Sequence, residues 1–152
     1  MKAREELQTI ELLDILKVKD SYQEVIGEVR PFLSNITLAE YLNQLIEFKR
    51  LKKTEIILHS RLERSYAYQI FAGKKIPSRD KLLALAFGMK LTYDEVQDLL
   101  KVNSYAQLYP QNSRDNIIIF ALYKGQSILE LNENLLVLGE AIFKGIPLSI
   151  IK

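Results

Sequence analysis

The side chains that could do chemistry are few. His59 is the sole histidine, so every nucleophile–base–acid arrangement would have to share it. The helical pattern around it places it on the outer face of a short helix. There is no cysteine, which excludes disulfides, thiol catalysis and cysteine-held zinc or iron–sulfur centres. One histidine excludes a multi-histidine metal site and leaves carboxylate-bound magnesium or calcium open. Gly73-Lys74 lacks the GxxxxGK(S/T) spacing of a phosphate-cradling loop, and GxGxxG does not occur. Carboxylate pairs such as Asp94-Glu95 fall where a helix start favours acids. The expectation is a protein that is not an enzyme and carries neither cofactor nor metal.

Charge is the more informative feature. The formal net charge is +2. Between Lys49 and Lys81 there are ten bases and three acids, a net of +7, which leaves eleven bases and sixteen acids elsewhere, a net of −5. If that fifth of the chain folds together, it presents a cationic patch that attracts polyanions and speeds their encounter. Charge alone fits a nucleic acid, an acidic protein or an anionic lipid equally.

The elements that must position this patch are helices. The chain has 152 residues, 48% of them hydrophobic, with six glycines and four prolines. That is too apolar for disorder and too poor in turn residues for a many-stranded β fold. No apolar run approaches the roughly 18 residues of a membrane span, and the acidic start Met1-Lys2-Ala3-Arg4-Glu5-Glu6 is unlike a secretory signal. These features predict a soluble, intracellular protein.

Ser or Thr followed three residues later by Glu occurs at Ser21–Glu24, Thr37–Glu40, Thr92–Glu95 and Ser127–Glu130. Each precedes apolar residues at helical spacing, the arrangement of a capping box. Ser78, followed by Asp80, is a fifth start. Apolar periodicity predicts five short helices between about residues 37 and 102. Two amphipathic pieces precede them, Leu7–Leu16 and Tyr22–Val29, the second stopped by Pro31. Two apolar helices follow, near 114–124 and 127–138. Ile117-Ile118-Ile119-Phe120 is β-prone, but Gly125 and a new capping box follow at once, so a buried helix is expected there. The predicted organisation is all-α, with an N-terminal helical arm (1–35), a five-helix core (36–103) and a C-terminal helical extension (104–152).

Arg50–Val96 resembles the helix-turn-helix core of Cro and lambda-repressor-type (XRE-like) regulators. The likeness is carried by Ser65-Tyr66 opening the third helix, by the exit Ile70-Phe71-Ala72-Gly73-Lys74-Lys75, and by Pro77-Ser78 starting the fourth. Leu82-Leu83 and Leu85-Ala86 lie inside that fourth helix, and Thr92-Tyr93-Asp94-Glu95-Val96 opens the fifth. The resemblance implies a lambda-repressor-like fold and a cytoplasmic, bacterial or phage-derived regulator that binds double-stranded DNA, most often as a repressor. In the third helix, Ala67, Ile70 and Phe71 would pack inward while the opposite side enters the major groove. The resemblance makes Arg64, Ser65, Tyr68 and Gln69 the base-reading positions. Lys53, at the start of the second helix, and Lys74, Lys75 and Arg79 become phosphate contacts. Arg64 suits guanine and Gln69 suits adenine through paired hydrogen bonds.

Three positions depart from the family pattern. Ile57 replaces a small residue, Lys53 a glutamine, and Arg61 the glycine of the tight turn; a left-handed backbone at Arg61 would cost about 1–2 kcal/mol. One such helix reads few base pairs, so a homodimer through the apolar C-terminal helices, and through the N-terminal arm as well, is expected. The rival reading is an adaptor that keeps the fold and uses its basic face or its C-terminal helices on another protein.

Overall fold

Hydroxyl, amide and carboxylate caps set where most helices begin. In this computed structural model, which describes residues 2–18 and 36–146, helix α1 runs Lys2–Val18. The others are α2 (Leu38–Lys49), α3 (Lys53–Ser60), α4 (Arg64–Phe71), α5 (Arg79–Gly88), α6 (Tyr93–Val102), α7 (Ser113–Lys124) and α8 (Ile128–Val137). The described residues are all-helical and contain no strand. Thr92–Glu95 and Ser127–Glu130 form complete capping boxes at α6 and α8. The Thr37 and Ser78 hydroxyls accept from the Glu40 and Lys81 amides, and the Asn112 side chain accepts from the Asp115 amide. The β-prone run 117–120 is helical because Asn112 caps it in front and Gly125, at φ 64°, ends it behind.

The chain divides into two compact units, Met1–Ile36 and Thr37–Lys152. In the first, the apolar side chains of α1 do not form the expected stripe. Ile10, Leu13 and Leu16 lie toward one side and Leu12 and Ile15 toward another, so apolar residues wrap much of the helix. The expected start at Ser21–Glu24, the helix Tyr22–Val29 and its stop at Pro31 lie outside the described residues.

In the second unit α5 is the central rod: every residue from Leu82 to Gly88 is buried. Each fully buried leucine there contributes roughly 1.5–3 kcal/mol of transfer free energy. α3 packs closely on α5, α2 on α4, and α7 pairs with α8 as a helical hairpin. Leu85, Ala86 and Leu99 share one buried cluster with Ile118, Leu131 and Leu135, so the core continues from the first five helices of this unit into α7 and α8. Polar side chains stitch the joints. The Asn43 amide donates to the Ala39 and Phe71 carbonyls, tying α2 to the end of α4. The Gln97 amide both accepts from and donates to the Leu108 backbone, fixing the loop after α6.

Lys49 closes the end of α2 onto Glu95 with two contacts of 2.6 and 2.7 Å. Burial alone would raise the Glu95 pKa. The Lys49 ammonium and the Thr92 N–H and hydroxyl outweigh it, so the net shift is downward from 4.5. A carboxylate held below its unfolded value stabilises the fold at neutral pH, and that contribution is lost as pH falls through the lowered value. The urea midpoint of the native protein should therefore exceed that of Glu95→Gln near neutrality, by about 0.5–1 kcal/mol for a partly exposed pair. The gap should close in acid below about pH 4. A gap of constant size across that range would show that the ion pair is not its source.

Candidate nucleic-acid interface

The short helix α3 turns into α4 at Arg61, whose backbone is left-handed (φ 60°, ψ 18°). The buried Ser60 hydroxyl staples the turn, donating to the Ile57 carbonyl and accepting from the Leu62 amide. Buried Leu62 anchors the chain, and the Glu63 carboxylate caps α4 by accepting from the Ser65 and Tyr66 amides at 3.0 and 2.9 Å. Turn and cap together fix the direction in which α4 leaves.

Ala67, Ile70 and Phe71 on α4 are buried. Arg64 and Ser65 are exposed, and Tyr68 and Gln69 are half-buried, on the other side. Aromatic rings hold several cations around this helix. The Arg64 guanidinium lies 5.8 Å from the Tyr68 ring centre, and Tyr68 meets Phe71 edge-on at 6.5 Å. Lys53 Nζ sits 5.5 Å from the Phe71 ring. Lys53, Phe71, Tyr68 and Arg64 thus form a continuous chain of contacts. Such cation–ring contacts limit where a long side chain can wander while leaving its charge able to meet an anion. Among the described residues the ion pairs are Lys49–Glu95, Arg79–Asp115 and Arg114–Asp80, none of which involves Arg64.

Gly73, at φ 79°, ends the α4 segment, and the Lys74 and Lys75 amides both bond the Gln69 carbonyl. Both lysine side chains are exposed, as is Ile76 between them and Pro77, at 85% of its surface. The Tyr105 hydroxyl donates to the Pro77 carbonyl at 2.6 Å and holds this exit against the core. Burial, with Tyr66 nearby, pushes the Tyr105 phenol pKa up, so it keeps its proton.

Arg79 differs from its expected phosphate role. Its guanidinium forms two bonds with the Asp115 carboxylate and donates to the Ala106 and Gln107 carbonyls, so it is spent on joining α5 to the loop before α7. The sequence places Asp115 thirty-six residues away, and no local signal pairs the two. Lys81, in contrast, had no assigned role. Its Nζ lies 4.2 Å from the Tyr66 ring centre, beside the first turn of α4. The spacing of a tyrosine and a lysine on two different helices carries no periodic signature that would have revealed it.

His59 is exposed and lines a cleft of about 610 Å³ shared with Lys90, Tyr93, Tyr123 and Gln126. Among the described residues no group of three or more acidic or histidine side chains converges to hold a metal, and no helix is long and apolar enough to cross a membrane. No protein-family model, curated protein or solved structure matches this chain.

Proposed function

We propose that this protein is a sequence-specific double-stranded-DNA-binding transcriptional regulator, acting as a repressor, with a lambda-repressor-like core that reads the major groove through α4. One observation carries the reading. α4 buries one side, and its other side holds Arg64, Ser65, Tyr68 and Gln69 outside every ion pair described above, flanked by ring-anchored cations. A groove-reading helix needs this division of labour. In this reading Arg64 and Gln69 contact base edges, with Ser65 and Tyr68 beside them. Lys53 meets phosphate at the start of α3, where the N-cap residue Lys52 makes no side-chain cap bond and leaves amides to an anion. Lys74 and Lys75 extend the phosphate track, and Lys81 takes the place first given to Arg79. A cytoplasmic homodimer presents two such helices to half-sites about one helical turn apart. Phe120, Tyr123, Leu136, Val137 and Leu138, all exposed on or just after α7 and α8, supply the dimer surface.

Selection from random oligonucleotides should return a preferred site. Against it, Arg64→Ala should relax preference at particular bases by about 1–3 kcal/mol. Lys53→Ala should weaken all sequences alike and lower the salt slope by about one. If both variants bind the selected site as the native protein does, α4 is not the reading helix. The same exposed apolar residues favour the adaptor reading, which predicts no preferred site and a stable co-purifying protein. A monomer in sedimentation at high micromolar concentration, with and without DNA, would remove the dimer.

A further inference from the structure

The chain after α8 returns to the turn that aims α4. Phe143 is 3% exposed, and its amide and carbonyl both bond the side chain of Asn132 on α8, at 2.8 and 2.9 Å. Arg114 on α7 stacks 4.6 Å over the Phe143 ring, donates to the Ala141 carbonyl and grips Asp80 on α5 with two bonds. The segment therefore moves with α7 and α8. Its far end is fixed to Arg61: the Ile146 amide donates to the Arg61 carbonyl at 2.8 Å, and the Arg61 guanidinium donates to the Ile146 carbonyl at 2.9 Å. Gly145 lies against the same residue so closely that a Cβ would stand 2.6 Å from the Arg61 oxygen. Ile146 shares the wall of a groove of about 400 Å³ with Ile57, Leu62 and Arg64.

Arginine is a poor choice for a left-handed turn by conformation alone. The bonds to Ile146 supply a reason for it that the turn does not. We propose that Ala141–Ile146 is a coupling strap through which α7 and α8 set the direction of α4, with Arg61 as the positioning residue that receives it. This rests on the groove-reading function proposed above and adds its regulation. Whatever moves the C-terminal helix pair, including a second copy docking on it, changes how Arg64 and Gln69 meet the bases. The contacts form one unbroken path from Asn132 and Arg114 to the residue three positions before Arg64. A path is only a candidate for coupling until a variant along it changes the distant site.

Two variants test the strap from opposite sides. Gly145→Val forces the strap off Arg61. Arg61→Gly removes the guanidinium bond while suiting the left-handed backbone, so this variant keeps its fold. The full-length native protein and both variants are titrated with the selected site and with a scrambled duplex, and the amides of Leu62–Tyr68 are followed by hydrogen exchange. The ratio of specific to scrambled affinity should fall by about tenfold in both variants, a loss of the size expected from one misplaced base contact. Scrambled binding should stay within about twofold, because phosphate contacts are unchanged, and exchange at Leu62–Tyr68 should rise. If the native protein selects no site, the DNA reading fails; unchanged exchange in both variants then overturns the strap separately. If the native protein selects a site and both variants keep its preference, the strap alone is overturned.

Discussion

Gly88→Ala should lower the stability of the second unit by about 3 kcal/mol, at the upper end of what overpacking costs, and its melting temperature by about 10 °C. The sign is opposite to the one helix propensity gives. Gly88 is the last residue of α5 and its φ is not in the left-handed region. An alanine there would ordinarily stabilise by close to 1 kcal/mol. The contact decides otherwise. A Cβ on Gly88 would stand 2.4 Å from the Ile56 carbonyl oxygen and 3.1 Å from the Ser60 nitrogen, both backbone atoms of α3. No rotamer change relieves that overlap, so α3 must move bodily by about 1 Å. Because α3 leads straight into the turn that directs α4, the displacement should also reduce DNA preference in molecules that remain folded. Gly125→Ala is the control. Its φ is +64° but nothing lies within 4 Å of a Cβ, so it isolates backbone strain and should cost only about 1–2 kcal/mol. Urea unfolding followed by helical circular dichroism measures both. A Gly88→Ala protein as stable as the native one would mean that α3 and α5 do not approach this closely.

Gly88 also shows where sequence reading stops. Helix starts were legible because a cap is a local arrangement: Thr92 with Glu95 and Ser127 with Glu130 state their purpose within four residues. The helical fate of the run 117–120 was legible for the same reason, since its β propensity yields to the cap and stop on either side. The inward residues of α4 followed from spacing, and Ala67, Ile70 and Phe71 are buried together. Gly88 carried no such mark, because its role depends on the closeness of a helix some thirty residues earlier. The left-handed backbone at Arg61 was anticipated as a cost, while the segment around Ile146 that uses its guanidinium was not. The continuity of the core from α5 into α7 and α8 was equally invisible, since each apolar stripe is compatible with several partners.

The candidate interface divides along the same line. Which side of α4 faces away from the core follows from helical periodicity, and Arg64, Ser65, Tyr68 and Gln69 fall on it. Which cations surround it depends on tertiary pairing. Tyr66 recruits Lys81 and Phe71 holds Lys53, whereas Asp115 removes Arg79. A basic residue within a cationic window is available to a polyanion only when no buried carboxylate competes for it. That competition is decided by burial, which raises the cost of separating an ion pair far above the value of one more phosphate contact in water.

Asp115→Ala should therefore be among the most destabilising substitutions outside the apolar core, at about 3 kcal/mol. The carboxylate is 6% exposed and accepts three bonds, two from Arg79 and one from the Tyr109 amide. Removing it strands a guanidinium and a backbone N–H together. The Arg79 side chain keeps 26% of its surface in water, which places the loss at the low end of the range for broken buried pairs. Asp115→Asn keeps the shape and an acceptor and should fall between the native protein and Asp115→Ala. Replacing both partners, Arg79→Met with Asp115→Leu, should recover most of the loss, because no unpaired charge then remains. The double variant also separates structure from DNA contact. If Arg79 serves the fold, the double variant binds the selected site with the native salt slope once its stability is restored. A slope lower by about one, with stability intact, would return Arg79 to the phosphate track and show that Asp115 does not hold it.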